Sequence, residues 1–190
     1  MSPAMRRLTS SGTAKESPAR GCRESDVITL VLGGARSGKS RLAEQLATRL
    51  PAPVTYVATA IVEPVDADHA ARVEAHRARR DPSWATEECG AALAETMRRL
   101  RGSVLVDSLG TWVTSHDNFA VDIEALCKAL STRDGETVIV SEEVGLGVHP
   151  SSAAGVRFRD VLGEVNAAVA DLADEVLLVV AGRALRLDRP

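Results

Sequence analysis

The run Gly33-Gly34-Ala35-Arg36-Ser37-Gly38-Lys39-Ser40 constrains this chain more than any other stretch. Two glycines five positions apart, then a lysine and a hydroxyl residue, make the phosphate-binding loop pattern. Its surroundings fit. The apolar run Val27–Leu32 predicts a buried strand entering the loop, and Ser40–Leu50 predicts a helix leaving it, with Leu42, Leu46 and Leu50 on one stripe. At such a junction backbone N–H groups and a helix N-terminus face the same point, where anionic oxygens bind. Glycine usage of about 7% would produce the pattern by chance in roughly one chain in a hundred of this length. The strand and helix on either side lower that by roughly another factor of ten. Only Lys15, Lys39 and Lys128 are lysines among the 23 basic residues, and one of the three fills the motif position. The expectation is a nucleoside polyphosphate on Gly33–Ser40, with Lys39 reaching the β- and γ-phosphates and Ser40 on Mg²⁺.

The rest of the composition narrows the class. A net charge of −3 argues against a surface built to neutralise nucleic-acid phosphates, and 3% aromatic residues leave little for stacking bases. Cys22, Cys89 and Cys127 have neither metal-ligand nor disulfide spacing and read as reduced thiols of a cytoplasmic protein. No apolar run is long enough to span a bilayer. Residues 1–25, rich in Ser, Arg, Ala and Pro without a hydrophobic centre, read as a disordered extension, leaving 26–190 as one domain.

Within that domain short β-rich runs alternate with helical ones. Strands are expected at Val27–Leu32, Val54–Thr59, Val104–Asp107, Thr137–Ser141 and Glu175–Ala181, with a short antiparallel strand near Leu185–Leu187. Helices are expected at Ser40–Leu50, Ala67–Arg80, Ala91–Leu100, Val121–Leu130 and Val156–Leu172. The alternation predicts an α/β fold of the P-loop type, a mostly parallel sheet with helices on both faces. Ligands then bind beyond the carboxyl ends of the strands, so the residues just after each strand are the ones that matter.

Asp107 ends an apolar strand, where a P-loop enzyme keeps the acid that helps hold Mg²⁺; capping a loop is the plainer role. On the helix expected at 67–80, Arg72, His76 and Arg79 or Arg80 share one face. Guanidinium groups suit a phosphate chain, and positive neighbours favour the neutral, nucleophilic imidazole. From spacing alone, a solvated basic face is the more economical reading. Glu142 and Glu143 leave the fourth strand, where a carboxylate could orient a substrate hydroxyl or act as a base, or simply be solvated. His149 reads as a loop residue, and neither His69 nor His116 has a recognisable partner.

Together these segments resemble the bifunctional adenosylcobinamide kinase/adenosylcobinamide-phosphate guanylyltransferases of cobalamin biosynthesis. The matching pieces are GGARSGKSRLAEQLA, TYVATA, AARVEAHRARR followed by PSW, VLVDSLGTWVT, and VSEEVGLGVHP leading into RFRDVLGEVNAAVADLADEVLLVVAG, roughly residues 27 to 188. The resemblance implies that Ala58, Thr59 and Ala60 touch the nucleotide and that His76 receives the GMP group. It implies further nucleotide contacts at Arg77, Ala78, Arg79, Arg80 and Glu88, and an acidic role for Asp107. Adenosylcobinamide and its phosphate would be the acceptors, ATP and GTP the donors, and a homo-oligomer, a trimer, the assembly. The chain departs from the family pattern at Glu142, where Asn is frequent. It departs again at Ser108-Leu109-Gly110-Thr111-Trp112, where Cys-Leu-Thr-Leu-Trp is frequent. Two other classes share the loop: a small-molecule kinase of different specificity, and a nucleotide switch. The Asn-Lys-x-Asp run of GTPase switches does not occur here.

Overall fold

The computed structural model describes residues 26–60 and 81–189. The expected extension 1–25 and the expected helix 67–80, with Arg72, His76, Arg77, Ala78, Arg79 and Arg80, lie outside the described residues. Strand β1 (Ile28–Gly33) is buried at every position and leads through the loop into helix α1 (Lys39–Ala47). Strands β2 (Val54–Ala58) and β3 (Ala85–Glu88), helix α2 (Leu93–Arg99) and strand β4 (Ser103–Asp107) follow. Next come α3 (Leu109–Thr114), a single 3₁₀ turn at Asp117–Phe119, and α4 (Ile123–Thr132). The chain ends in β5 (Thr137–Glu142), α5 (Ala153–Leu172) and the hairpin of β6 (Glu175–Val180) and β7 (Arg183–Arg186).

The seven strands form one sheet in the order β3-β2-β4-β5-β1-β6-β7, parallel except for the β6–β7 pair. Side chains alternate across β1 between two cores. Ile28, Leu30 and Leu32 pack with Met97, Trp112, Leu126, Leu162 and Val165 under α2 to α5. Val31 packs on the other face with Ala43, Ala47, Tyr56, Leu105 and Val140 under α1. Each large apolar side chain so buried contributes about 1.5–3 kcal/mol, which makes this central strand the rigid member on which the loop is hung. The expected doubly covered parallel sheet is therefore the observed one.

Several expectations differ in detail. Helix α1 ends at Ala47 rather than Leu50, α4 is displaced to Ile123–Thr132, and α5 begins three residues early, at Ala153, because the Ser152 hydroxyl accepts from Gly155 N–H and caps it. Strand β7 occupies Arg183–Arg186 rather than Leu185–Leu187, since Ala181 and Gly182, both at positive φ, turn the hairpin one step after β6. Two elements were not expected. The polar, mostly exposed β3 is held as an edge strand by backbone pairing with β2, and α3 is a six-residue helix closed by the Ser108–Thr111 capping box.

Candidate functional site

The register of the sheet brings most of the expected residues to one edge. At the carboxyl ends, Gly33 lies opposite Glu142, and Ala58 lies opposite both Asp107 and Glu88. Strand β5 separates β1 from β4, so Glu142 rather than Asp107 is the acid beside the loop strand.

The loop itself is shaped by its glycines. Gly38, at φ 97 and ψ 7, is the left-handed N-cap of α1 and has no side chain to cap it, while the Ser37 hydroxyl accepts from the first helical N–H, that of Lys39, at 3.4 Å. A Cβ on Gly33 would stand 2.5 Å from Ser37 Oγ and 2.8 Å from the Val179 carbonyl, so the loop can fold back on β6 only with glycine there. Gly34, Ala35 and Arg36 are exposed, with Arg36 also at positive φ (56°). Ser37 N–H donates to Gly34 O at 3.3 Å, and Gly182 N–H donates to Ser37 O at 2.8 Å, tying the loop to the β6–β7 turn. Ser37 is buried, while Lys39 and Ser40 are half-buried at the helix start. The first turn of α1 carries no acidic residue, and the partial positive charge of such a helix start favours anions.

Lys39 Nζ is 3.4 Å from Gly34 O and 3.5 Å from Glu142 Oε1. The Glu142 carboxylate in turn accepts from Ser108 Oγ, 3.1 Å from each of its oxygens, and from Gly110 N–H at 3.1 Å. A Cβ at position 110 would collide with Glu142 Oε2, so this carboxylate needs glycine there. The sequence departures at 108, 110 and 142 thus meet at one acid.

Asp107 Oδ2 accepts from the Tyr56 hydroxyl at 3.0 Å, and the Asp107–Ser108 peptide is cis. Thr59 is fully buried: its hydroxyl donates to Ser108 O at 2.7 Å, accepts from Ser108 N–H at 2.9 Å and also meets the Thr111 hydroxyl. Ala58 and Ala60 are half-buried beside it, and Glu88 is exposed at the end of the edge strand. Cys89, next along, is pushed up to about 11, chiefly by burial of its thiol. The sequence had not pointed to the Ser108–Thr111–Thr59 hydroxyl cluster or to the Lys39–Glu142 pair. The signals available were that Glu142 ends a buried strand and that both it and the Ser108–Trp112 run depart from the family pattern.

An acid and a hydroxyl at this edge, Asp107 and Ser40, are oxygen donors of the kind Mg²⁺ takes together with phosphate oxygens and water. Among the described residues no cluster of three or more His, Cys, Asp and Glu side chains is placed to hold a metal by itself.

A parallel sheet with this loop at its carboxyl edge defines a P-loop nucleotide-binding α/β enzyme. A solved ATPase from the type III secretion system of pathogenic bacteria has the same fold, at TM-score 0.51 and 10% identity, covering 85% of this chain and 57% of its own. Residues 29–187 match the family described as cobinamide kinase / cobinamide phosphate guanyltransferase. The bifunctional adenosylcobalamin biosynthesis protein CobP of Pseudomonas aeruginosa is 41% identical over 162 residues, which cover 80% of this chain and 92% of that one. The corresponding protein CobU of Salmonella typhimurium is 34% identical over 183 residues, covering 85% and 99%. The chain belongs to the cobinamide kinase/guanylyltransferase family, and is a bifunctional kinase and nucleotidyltransferase of cobalamin biosynthesis. No helix among the described residues is long and apolar enough to cross a membrane.

Proposed function

We propose that this enzyme phosphorylates adenosylcobinamide and then converts the phosphate to adenosylcobinamide-GDP. In the first step the hydroxyl of the aminopropanol arm attacks the γ-phosphorus of ATP or GTP. The bond to the bridging β-oxygen breaks, the nucleoside diphosphate leaves and the hydroxyl proton is lost. The loop N–H groups of Gly33–Ser40 and the Lys39 ammonium stabilise the charge that develops on the phosphoryl oxygens. Ser40 and Asp107 are the residues suited to hold Mg²⁺, which would neutralise polyphosphate charge when bound.

In the second step a ring nitrogen of His76 attacks the α-phosphorus of GTP and pyrophosphate leaves. The phosphate of adenosylcobinamide phosphate then attacks the same phosphorus and releases His76. The covalent stage divides a difficult transfer between two anions into two steps. Arg77, Ala78, Arg79, Arg80, Glu88 and Ala58–Ala60 serve the nucleotide, and the loop 145–152 serves the corrinoid. The enzyme works in the cytoplasm as a homo-oligomer, a trimer, and uses no nucleic acid.

The observation that carries the reading is the glycine-shaped, left-handed entry of α1 at Gly38 beside Lys39, in a chain that matches the family along residues 29–187. The test is incubation with Mg²⁺ and GTP labelled at the α-phosphate, followed by denaturation and peptide mapping. An acid-labile, base-stable label on the peptide containing His76, missing in His76→Ala, is the expected result. GTP binding without any covalent label would refute the histidine intermediate.

A further inference from the structure

The Glu142 carboxylate stands 3.5 Å from the Lys39 ammonium, on the strand next to the loop strand, in register with the first loop glycine. The side chains are only 12% (Lys39) and 28% (Glu142) exposed, so solvent screens the pair less than it would at an open surface. All other polar contacts described for this carboxylate come from donors, the Ser108 hydroxyl and the Gly110 N–H, which hold it in place. A phosphate chain that uses Lys39 must therefore enter a site where a fixed anion already engages that lysine.

We infer that Glu142 is a positioning residue, a resident counter-ion that holds Lys39 at the loop while the nucleotide is absent and yields it to the incoming phosphates. The inference rests on the nucleotide-loop reading of Gly33–Ser40. Two consequences separate it from a purely structural role. Removing the charge but keeping the shape frees Lys39 and removes a repulsion, so polyphosphates bind more tightly. The gain is larger for the more highly charged ligand, metal-free ATP, than for ATP with Mg²⁺ in excess.

The experiment is equilibrium titration of the full chain with ATP, with EDTA and with excess Mg²⁺, for wild type, Glu142→Gln and Glu142→Ala. Thermal melts confirm that the variants are folded. Both variants are expected to bind metal-free ATP about three- to tenfold more tightly, with a smaller gain in Mg²⁺. Unchanged or weaker binding by folded Glu142→Gln, or equal gains with and without Mg²⁺, would overturn the inference. Wild-type protein that binds no ATP under either condition would overturn the nucleotide-loop reading and this inference with it.

Discussion

Thr59 is where the fold and the site depend most directly on one hydroxyl, and Thr59→Val isolates it at nearly constant volume. The side chain is completely buried and is bonded on both sides to Ser108, donating to its carbonyl at 2.7 Å and accepting from its N–H at 2.9 Å. Valine removes both bonds and the contact with the Thr111 hydroxyl, which keeps Ser108 O as its acceptor. It does not orphan the backbone groups, because Ser108 N–H keeps Thr111 Oγ1 at 3.2 Å, and Ser108 O keeps Thr111 Oγ1 at 2.9 Å and Trp112 N–H at 3.1 Å. The cost is therefore two net hydrogen bonds at about 1 kcal/mol each, about 2 kcal/mol in all. It is not the full penalty for buried, unpaired groups. With a urea slope near 2 kcal/mol per molar for a domain of this size, the unfolding midpoint should fall by about 1 M. The melting temperature should fall by roughly 4–8 °C. Thr59→Ser, which keeps the hydroxyl, should lose less than half as much. Since the same bonds fix the turn after Asp107, ATP affinity of folded Thr59→Val should also weaken by several-fold. A midpoint within about 0.2 M of wild type would show that Thr111 replaces the lost hydroxyl and would refute the argument.

Two further outcomes follow from groups away from the nucleotide loop. Arg133, 4% exposed, donates to Gly135 O at 2.6 Å, to Glu136 O at 3.3 Å and to Gly102 O, joining the starts of β4 and β5, and burial pulls its guanidinium down to about 10. Arg133→Ala removes the partner of the Gly135 and Gly102 carbonyls, while Glu136 O keeps Val104 N–H at 2.9 Å, and should cost about 3 kcal/mol in urea unfolding. ATP affinity of the folded variant should be unchanged, because the contact lies at the amino edge of the sheet. Burial raises the Cys89 thiol to about 11 from 9.0, so the unfolded chain ionises first; this contribution to stability is full below pH 9 and is lost as pH rises toward 11. Iodoacetamide should accordingly label Cys89 at pH 8 about a hundredfold more slowly in native than in urea-unfolded protein, as followed by peptide mass.

What the sequence revealed and what it hid divide along a physical line. The loop, the buried strands and the long helix carry local signals: glycine spacing, uninterrupted apolar runs, and Phe158, Val161, Leu162, Val165 and Val169 at helical spacing along α5. Strand β3, Ala-Thr-Glu-Glu, has no such signal; it is a strand only because β2 offers its backbone, and that pairing links residues thirty positions apart. Helix α3 is too short for periodicity to register, and its start depends on two hydroxyls, Ser108 and Thr111, that read as ordinary loop residues. The largest consequence of this blindness to strand order is at the site. From the sequence, Asp107 and Glu142 are both acids ending apolar strands, and nothing local ranks them by distance from Lys39. Only the order β4-β5-β1 does so, setting Glu142 beside the loop and leaving Asp107 one strand away with Tyr56. Once β5 is between them, Gly110 is explained as well, because a side chain there would take the space of the carboxylate. A glycine in α3, a serine after β4 and the glutamate that ends β5 stand out in the sequence only as separate departures from the family pattern, and become one construction when the sheet brings them to the lysine.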